Sequence, residues 1–188
     1  MKNFRLLSIA SFLMISVTAE ARGGSGLQIG LEPIIGYERV QKLVPTTHTT
    51  DRLLYGARIT AGFKLLSLEA QYTTAKDTES FSNPDLTVTD TGQKAKVGLR
   101  STLGSGMMKL VARGGVQGFQ TRHQESSGGV STVDTTVPLV YKPYGGAGLK
   151  FRLSSQISFT AEVVAIFKKF PDMNQNEYET TAGFEIHI

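Results

Sequence analysis

The feature that most constrains this chain is an alternation of apolar and polar side chains with a period of two. It returns along the whole sequence and never gives way to a sustained helical period. The last eleven residues show it most clearly. Tyr178, Thr180, Ala182, Phe184, Ile186 and Ile188 share one face, and Glu179, Thr181, Gly183, Glu185 and His187 share the other. Such a segment is a strand between two unlike surroundings.

Earlier segments repeat the pattern. Leu27, Leu31, Ile35 and Tyr37 stand opposite Gln28, Gly30, Glu32 and Gly36, and Tyr55, Ala57, Ile59 and Phe63 opposite Gly56, Arg58, Thr60 and Gly62. Leu68, Ala70 and Tyr72 oppose Glu69 and Gln71, and Ala95, Val97 and Leu99 oppose Lys94, Lys96, Gly98 and Arg100. Met108, Leu110, Ala112, Gly114 and Val116 oppose Lys109, Arg113 and Gln117; Tyr141, Ala147 and Phe151 oppose Tyr144 and Lys150; Ile157, Phe159, Ala161 and Val163 oppose Ser158, Thr160 and Glu162. With the terminal segment this predicts eight strands. Their connections alternate. Polar loops are expected over 41–51, 76–92, 121–137 and 171–177, with a turn signal at Asn83-Pro84-Asp85. Tight turns are expected near 64–66, 104–106 and 153–156.

The N-terminus is a different kind of segment. Lys2 and Arg5 precede an apolar run over 6–17, shorter than the ~18 residues of a spanning helix, and Ala19-Glu20-Ala21 offers small residues where a signal peptidase reads. The expectation is a secretory signal peptide over 1–21, cut near Ala21, and one β-domain over 22–188. The chain has no cysteine, which excludes disulfides, thiolate metal sites and thiol nucleophiles. Its net charge of +4 is scattered and forms no basic run of the kind that binds nucleic acid.

An even number of strands, short turns at one end, long loops at the other and apolar faces long enough for a tilted membrane strand of ~9–11 residues predict one architecture. It is an all-β, eight-stranded antiparallel up-and-down transmembrane β-barrel. Both termini and the short turns lie at the periplasmic end. Tyr37, Tyr55, Tyr141, Phe167 and Tyr178 mark one aromatic girdle, and Phe63, Phe151, Phe159 and Phe184 the other. The polar face then lines the lumen. It carries Glu32, Arg58, Glu69, Lys96, Arg100, Arg113, Lys150, Glu162 and Glu185, a charge network interleaved with glycines such as Gly98 and Gly183. Pro33 lacks a donor inside a strand of a closed barrel, so a bulge or irregular pairing is expected there.

The signal peptide, the eight strands, the phrases Tyr55-Gly56-Ala57-Arg58 and Leu66-Ser67-Leu68-Glu69-Ala70-Gln71-Tyr72, and the alternating terminal strand resemble the small outer-membrane β-barrel proteins of the OmpA/OmpX-like group. The resemblance implies residence in the outer membrane of a Gram-negative bacterium, in contact with its lipids. It also implies reading of the last strand by the barrel-assembly machinery. That strand usually ends in phenylalanine in the group; here it ends in Ile188, with Phe184 and Tyr178 on the same face. No peptidoglycan-binding domain is expected.

The functional expectation is a structural, envelope or surface-interaction role without enzymatic activity. The alternatives are a small gated pore and a lipid A-modifying enzyme. Only His48, His123 and His187 could supply an imidazole. His123-Gln124-Glu125-Ser126 groups the right residue types but falls in a predicted loop, and no metal-ligand spacing or cofactor motif occurs. On the lipid face, Ala112, Gly114, Gly145, Ala147, Ala161 and Ala165 are small where neighbouring strands carry bulk. Close packing across small residues makes this patch a candidate lateral contact for a homo-oligomer.

Overall fold

The computed structural model describes residues 26–42, 48–63, 65–82, 85–127, 130–168 and 176–188. The expected signal peptide over 1–21, the Asn83-Pro84 turn and most of the 171–177 loop lie outside the described residues.

The described residues form nine antiparallel strands: β1 Gln28–Lys42, β2 His48–Gly62, β3 Leu66–Ser82, β4 Asp85–Leu103, β5 Met108–Ser127, β6 Val130–Thr136, β7 Val140–Arg152, β8 Ile157–Ile166 and β9 Glu177–His187. Eight of them close a ring. Each strand from β1 to β5 pairs with the next, β5 pairs β7, and β7, β8 and β9 follow in order. β9 then returns to β1, with Leu31 opposite Ile186 and Ile35 opposite Ala182. β6 stands outside the ring and, among the described residues, pairs only with the far end of β5.

The side-chain alternation sorts the ring into two faces. Leu31, Ile35, Tyr55, Ile59, Val97, Leu99, Leu110 and Phe184 are all exposed, whereas the inward-facing charges are buried, Arg58 at 0% and Lys96 at 1% exposure. Apolar residues outside and ions inside is the reverse of a water-soluble barrel. It is stable only where the outer solvent is itself apolar. The interior also takes apolar residues between its charges. Ile34, Leu54 and Val111 are buried, and Tyr144, Val164 and Ile166 form one cluster.

The short turns lie together at one end. At 63–66 the Phe63 and Leu66 backbones exchange two hydrogen bonds, at 2.9 and 3.2 Å. The 104–107 turn needs left-handed backbone at Gly104 (φ 108°) and Gly106 (φ 84°), which glycine adopts without a Cβ penalty. In the third, Ser154 Oγ accepts from the Gln156 and Ile157 amides.

Three expectations are corrected. Residues 76–92 are not a loop, because β3 and β4 continue their ladder to Ser82 opposite Asp85. Nor are residues 121–137, where β5 runs on to Ser127 and β6 folds back along it. Water lies on both faces beyond the belt, so these polar stretches keep extended pairing without an apolar face. The third is the 41–51 loop, whose two ends are strand, with the β1–β2 ladder reaching Lys42 opposite His48. At Pro33 the expected irregular pairing is present. The β1–β9 ladder passes over Glu32 and Pro33, but its register is the same on both sides, so the pairing is interrupted without a bulge. On its other side Pro33 pairs regularly with Ala57.

Candidate functional site

The candidate site is the lumen and its two mouths. Among the described residues, seven acids (Glu32, Glu38, Glu69, Asp90, Glu162, Glu179 and Glu185) and seven bases (Arg52, Arg58, Lys94, Lys96, Arg100, Arg113 and Lys150) are buried. All nine charges of the predicted lumen set lie among them.

The middle layer is centred on Glu162. Arg58 reaches it at 2.8 Å, Arg100 at 2.7 Å and Arg113 at 2.9 Å. Arg58 also pairs with Glu32 at 3.0 Å. Arg113 donates to Glu69 at 2.8 Å and to Gln71 at 2.8 Å, and the Tyr144 hydroxyl donates to Glu69 at 2.5 Å. The Arg113 guanidinium also lies over the Tyr144 ring, 5.3 Å from its centre. Long side chains fit here because the facing positions are glycine. A Cβ on Gly98 would stand 2.5 Å from the Tyr144 hydroxyl and 2.3 Å from the Gly114 carbonyl, and one on Gly183 would stand 2.7 Å from Glu32 Oε1.

A second layer lies nearer the outer rim. Arg52 pairs with Glu38 at 2.7 Å; Lys94 bridges Glu38 and Glu179, the latter at 2.5 Å; Lys96 donates to Glu179. Glu38, Arg52, Lys94 and Glu179 were not in the predicted set. A signal for them exists. Glu38 lies six residues from Glu32, Arg52 six from Arg58 and Glu179 six from Glu185. An even offset keeps the face, and six residues climb ~20 Å of strand.

At the turn-side mouth, Lys150 pairs with Glu185 at 2.7 Å. Here Ser158, His187 and Glu185 stand in the order of a nucleophile, base and carboxylate. The Ser158 Oγ to His187 Nε2 distance is 3.4 Å, and His187 Nδ1 lies 3.7 Å from Glu185. The carboxylate is held by Lys150 rather than by the imidazole, and Ser158 is buried. The arrangement therefore lacks the tight base–orienter contact that nucleophile activation needs.

The other histidines lie at the outer rim. His48 contacts Glu79 at 3.2 Å. His123 stands on β5 rather than in a flexible loop, with Nδ1 2.6 Å from Asp90 and Nε2 3.0 Å from Glu125. Hydrogen bonds to Glu125 and then Asp90 raise its pKa above the ordinary histidine value. Ser126, its sequence neighbour in the predicted cluster, makes no contact with it that the structure records.

The small-residue patch occupies the outer face. Ala112 pairs with Ala147, Gly114 with Gly145, and Gly145 with Ala165; Ala161 pairs with Leu149 on one side and Ala182 on the other. A Cβ on Gly114 or Gly145 would find its nearest neighbour at 3.5 Å, so local packing requires glycine at neither.

The sequence matches no protein-family model and no curated protein. Solved structures share the architecture. The N-terminal β-barrel domain of Pseudomonas aeruginosa OprF aligns with a TM-score of 0.59 at 12% identity, over 88% of this chain and 100% of that one. Ail, the attachment invasion locus protein of Yersinia pestis, aligns with a TM-score of 0.57 at 9% identity, over 87% and 99%. Neisserial surface protein A aligns with a TM-score of 0.51 at 16% identity, over 87% and 99%. The chain has the fold of the small outer-membrane β-barrels. The chain covers nearly the whole length of each of these neighbours, and its exposed apolar belt and buried charges have the arrangement of a transmembrane β-barrel.

Proposed function

We propose that this outer-membrane barrel is a non-conducting, non-catalytic envelope protein whose outward work is done by its rim. The observation that supports this is the equal population of seven acids and seven bases packed inside an eight-stranded ring. Eight strands enclose an interior only wide enough for side chains, and here those side chains are paired to one another. A conducting path would require many of these pairs to open at once.

The rim supplies a surface instead. Beyond the belt, β3, β4, β5 and β6 continue as a sheet of their own. It is held by Thr78–Thr89 and Ser80–Thr87 hydroxyl contacts at 3.3 Å and by the Arg122–Asp134 pair at 2.5 Å. A sheet fixed to a rigid barrel is a suitable platform for contact with other molecules. Planar-bilayer recording tests the closed lumen. The purified barrel gives no discrete conductance steps at moderate voltage; regular single-channel openings in the wild type would favour the pore.

A lateral contact between copies is a second part of this reading. It is favoured by the outward Gly114 and Gly145, whose small size local packing does not require. Ala147→Leu together with Ala161→Leu should shift the protein toward monomer in mild detergent. An unchanged size distribution would remove this part and leave the rest standing.

A further inference from the structure

The charge balance that holds along the lumen breaks at the turn-side mouth. A cavity of about 580 Å³ opens there, within the size range of small-molecule sites. Arg100, Lys109, Lys150 and Arg152 line it, with Glu185 and His187. Glu185 is the acidic side chain that faces them. These cations come from three adjacent strands, β4, β5 and β7, so they form one basic wall.

The existing partners of Arg100, Lys150 and Arg152 do not exhaust them. Lys150 and Arg100 both turn toward Glu185, at 2.7 and 4.0 Å. Arg100 Nη2 lies 2.7 Å from Glu162, yet it is buried without the alignment of a hydrogen bond. Among the described residues no carboxylate pairs with Arg152. The Ser158 hydroxyl, the Thr60 hydroxyl and the Gln156 side chain add neutral polar groups to the same cavity.

We propose that this mouth is a binding site for a small phosphate-bearing anion entering from the periplasm. Several cations converging on one rigid cavity suit a ligand with several charged oxygens on one centre. A monovalent ion such as chloride could meet them only one or two at a time. The basic lining residues stand on the lumen side of their strands rather than the lipid side, so the ligand is a soluble phosphate compound. The periplasmic location rests on the outer-membrane reading; the binding site itself does not.

The test is a calorimetric titration of the full barrel in zwitterionic nanodiscs with pyrophosphate. Wild type binds, and the affinity falls steeply as salt screens the basic wall. Lys109→Gln and Arg152→Gln each weaken binding about tenfold, as expected for loss of one charge-assisted contact. Arg39→Gln, at the opposite rim, leaves it unchanged. Heat-shifted migration on a gel verifies that each variant is a closed barrel, so a failure of binding is distinct from a failure of the fold. Loss of pyrophosphate binding in discs containing phosphatidylglycerol would assign the site to a lipid headgroup phosphate. No measurable binding by the wild type, or affinity unmoved in both mouth variants, would overturn the proposal.

Discussion

Glu162 receives three arginines, and removal of any one leaves the buried carboxylates short of a cation. Arg113→Ala strips Glu69 and Gln71 of a donor as well as Glu162. Breaking a buried pair from one side costs about 3–5 kcal/mol. Urea titration of refolding into lipid vesicles should show a loss of that order for Arg113→Ala. Arg122→Ala removes only the exposed Arg122–Asp134 pair and should lose less than about 1 kcal/mol. Equal losses would mean that the lumen network contributes no more than a surface pair. At this scale the sequence was informative about direction and silent about height. Parity alone puts Glu32, Arg58 and Glu162 on one face. It does not say that Arg58 on β2 meets Glu162 on β8, 104 residues away, because that contact depends on ring closure and strand stagger. Parity also puts Ile34 and Leu54 inward, but their apolar character kept them out of the predicted lumen set.

The strands themselves were legible within the membrane belt, where one face is lipid and the other is not. Above it the signal vanishes. Apart from the buried Val88, Thr87 to Thr91 and Thr121 to Ser126 are polar on both faces, and their pairing shows only in the register of β4 against β5, Thr87 opposite Ser126 and Asp90 opposite His123. That register brings His123 between Asp90 and Glu125. The pH dependence of this rim follows from the raised pKa of His123. A group whose folded pKa is raised contributes fully below its unfolded value, ~6.5 for histidine, and its contribution is lost as pH rises through the folded value. Intrinsic-rate-corrected hydrogen exchange of the β4–β5–β6 rim should therefore be slower at acid pH and quicken as the solution turns alkaline. His123→Gln should abolish the change. A rim whose protection is the same at both extremes, or stronger at alkaline pH, would show that the imidazolium does not hold it.

Taken whole, the molecule places its charges inside and its apolar residues outside, and only an apolar exterior makes that arrangement stable. The ring order, the closure of β9 on β1 and the segregation of the short turns to one end all follow from alternation repeated eight times with unequal connections. The central claim is the direction in which each face looks, and one measurement addresses it directly. The chain has no cysteine, so single cysteines can carry spin labels without further change. Leu31, Ile59, Val97 and Leu110 sample the exposed face; Thr60, Gln117, Thr160 and Thr181 sample the buried one and avoid the ion pairs. In lipid bilayers, labels at the first four positions should collide readily with oxygen and hardly at all with a water-soluble nickel chelate. Labels at Gln117, Thr160 and Thr181 should be shielded from both, and one at Thr60, which lines the turn-side cavity, should be shielded from oxygen in the lipid. Ready access of the nickel chelate to Leu31, Ile59, Val97 and Leu110 would contradict the account, because it would mean that the apolar face looks into water.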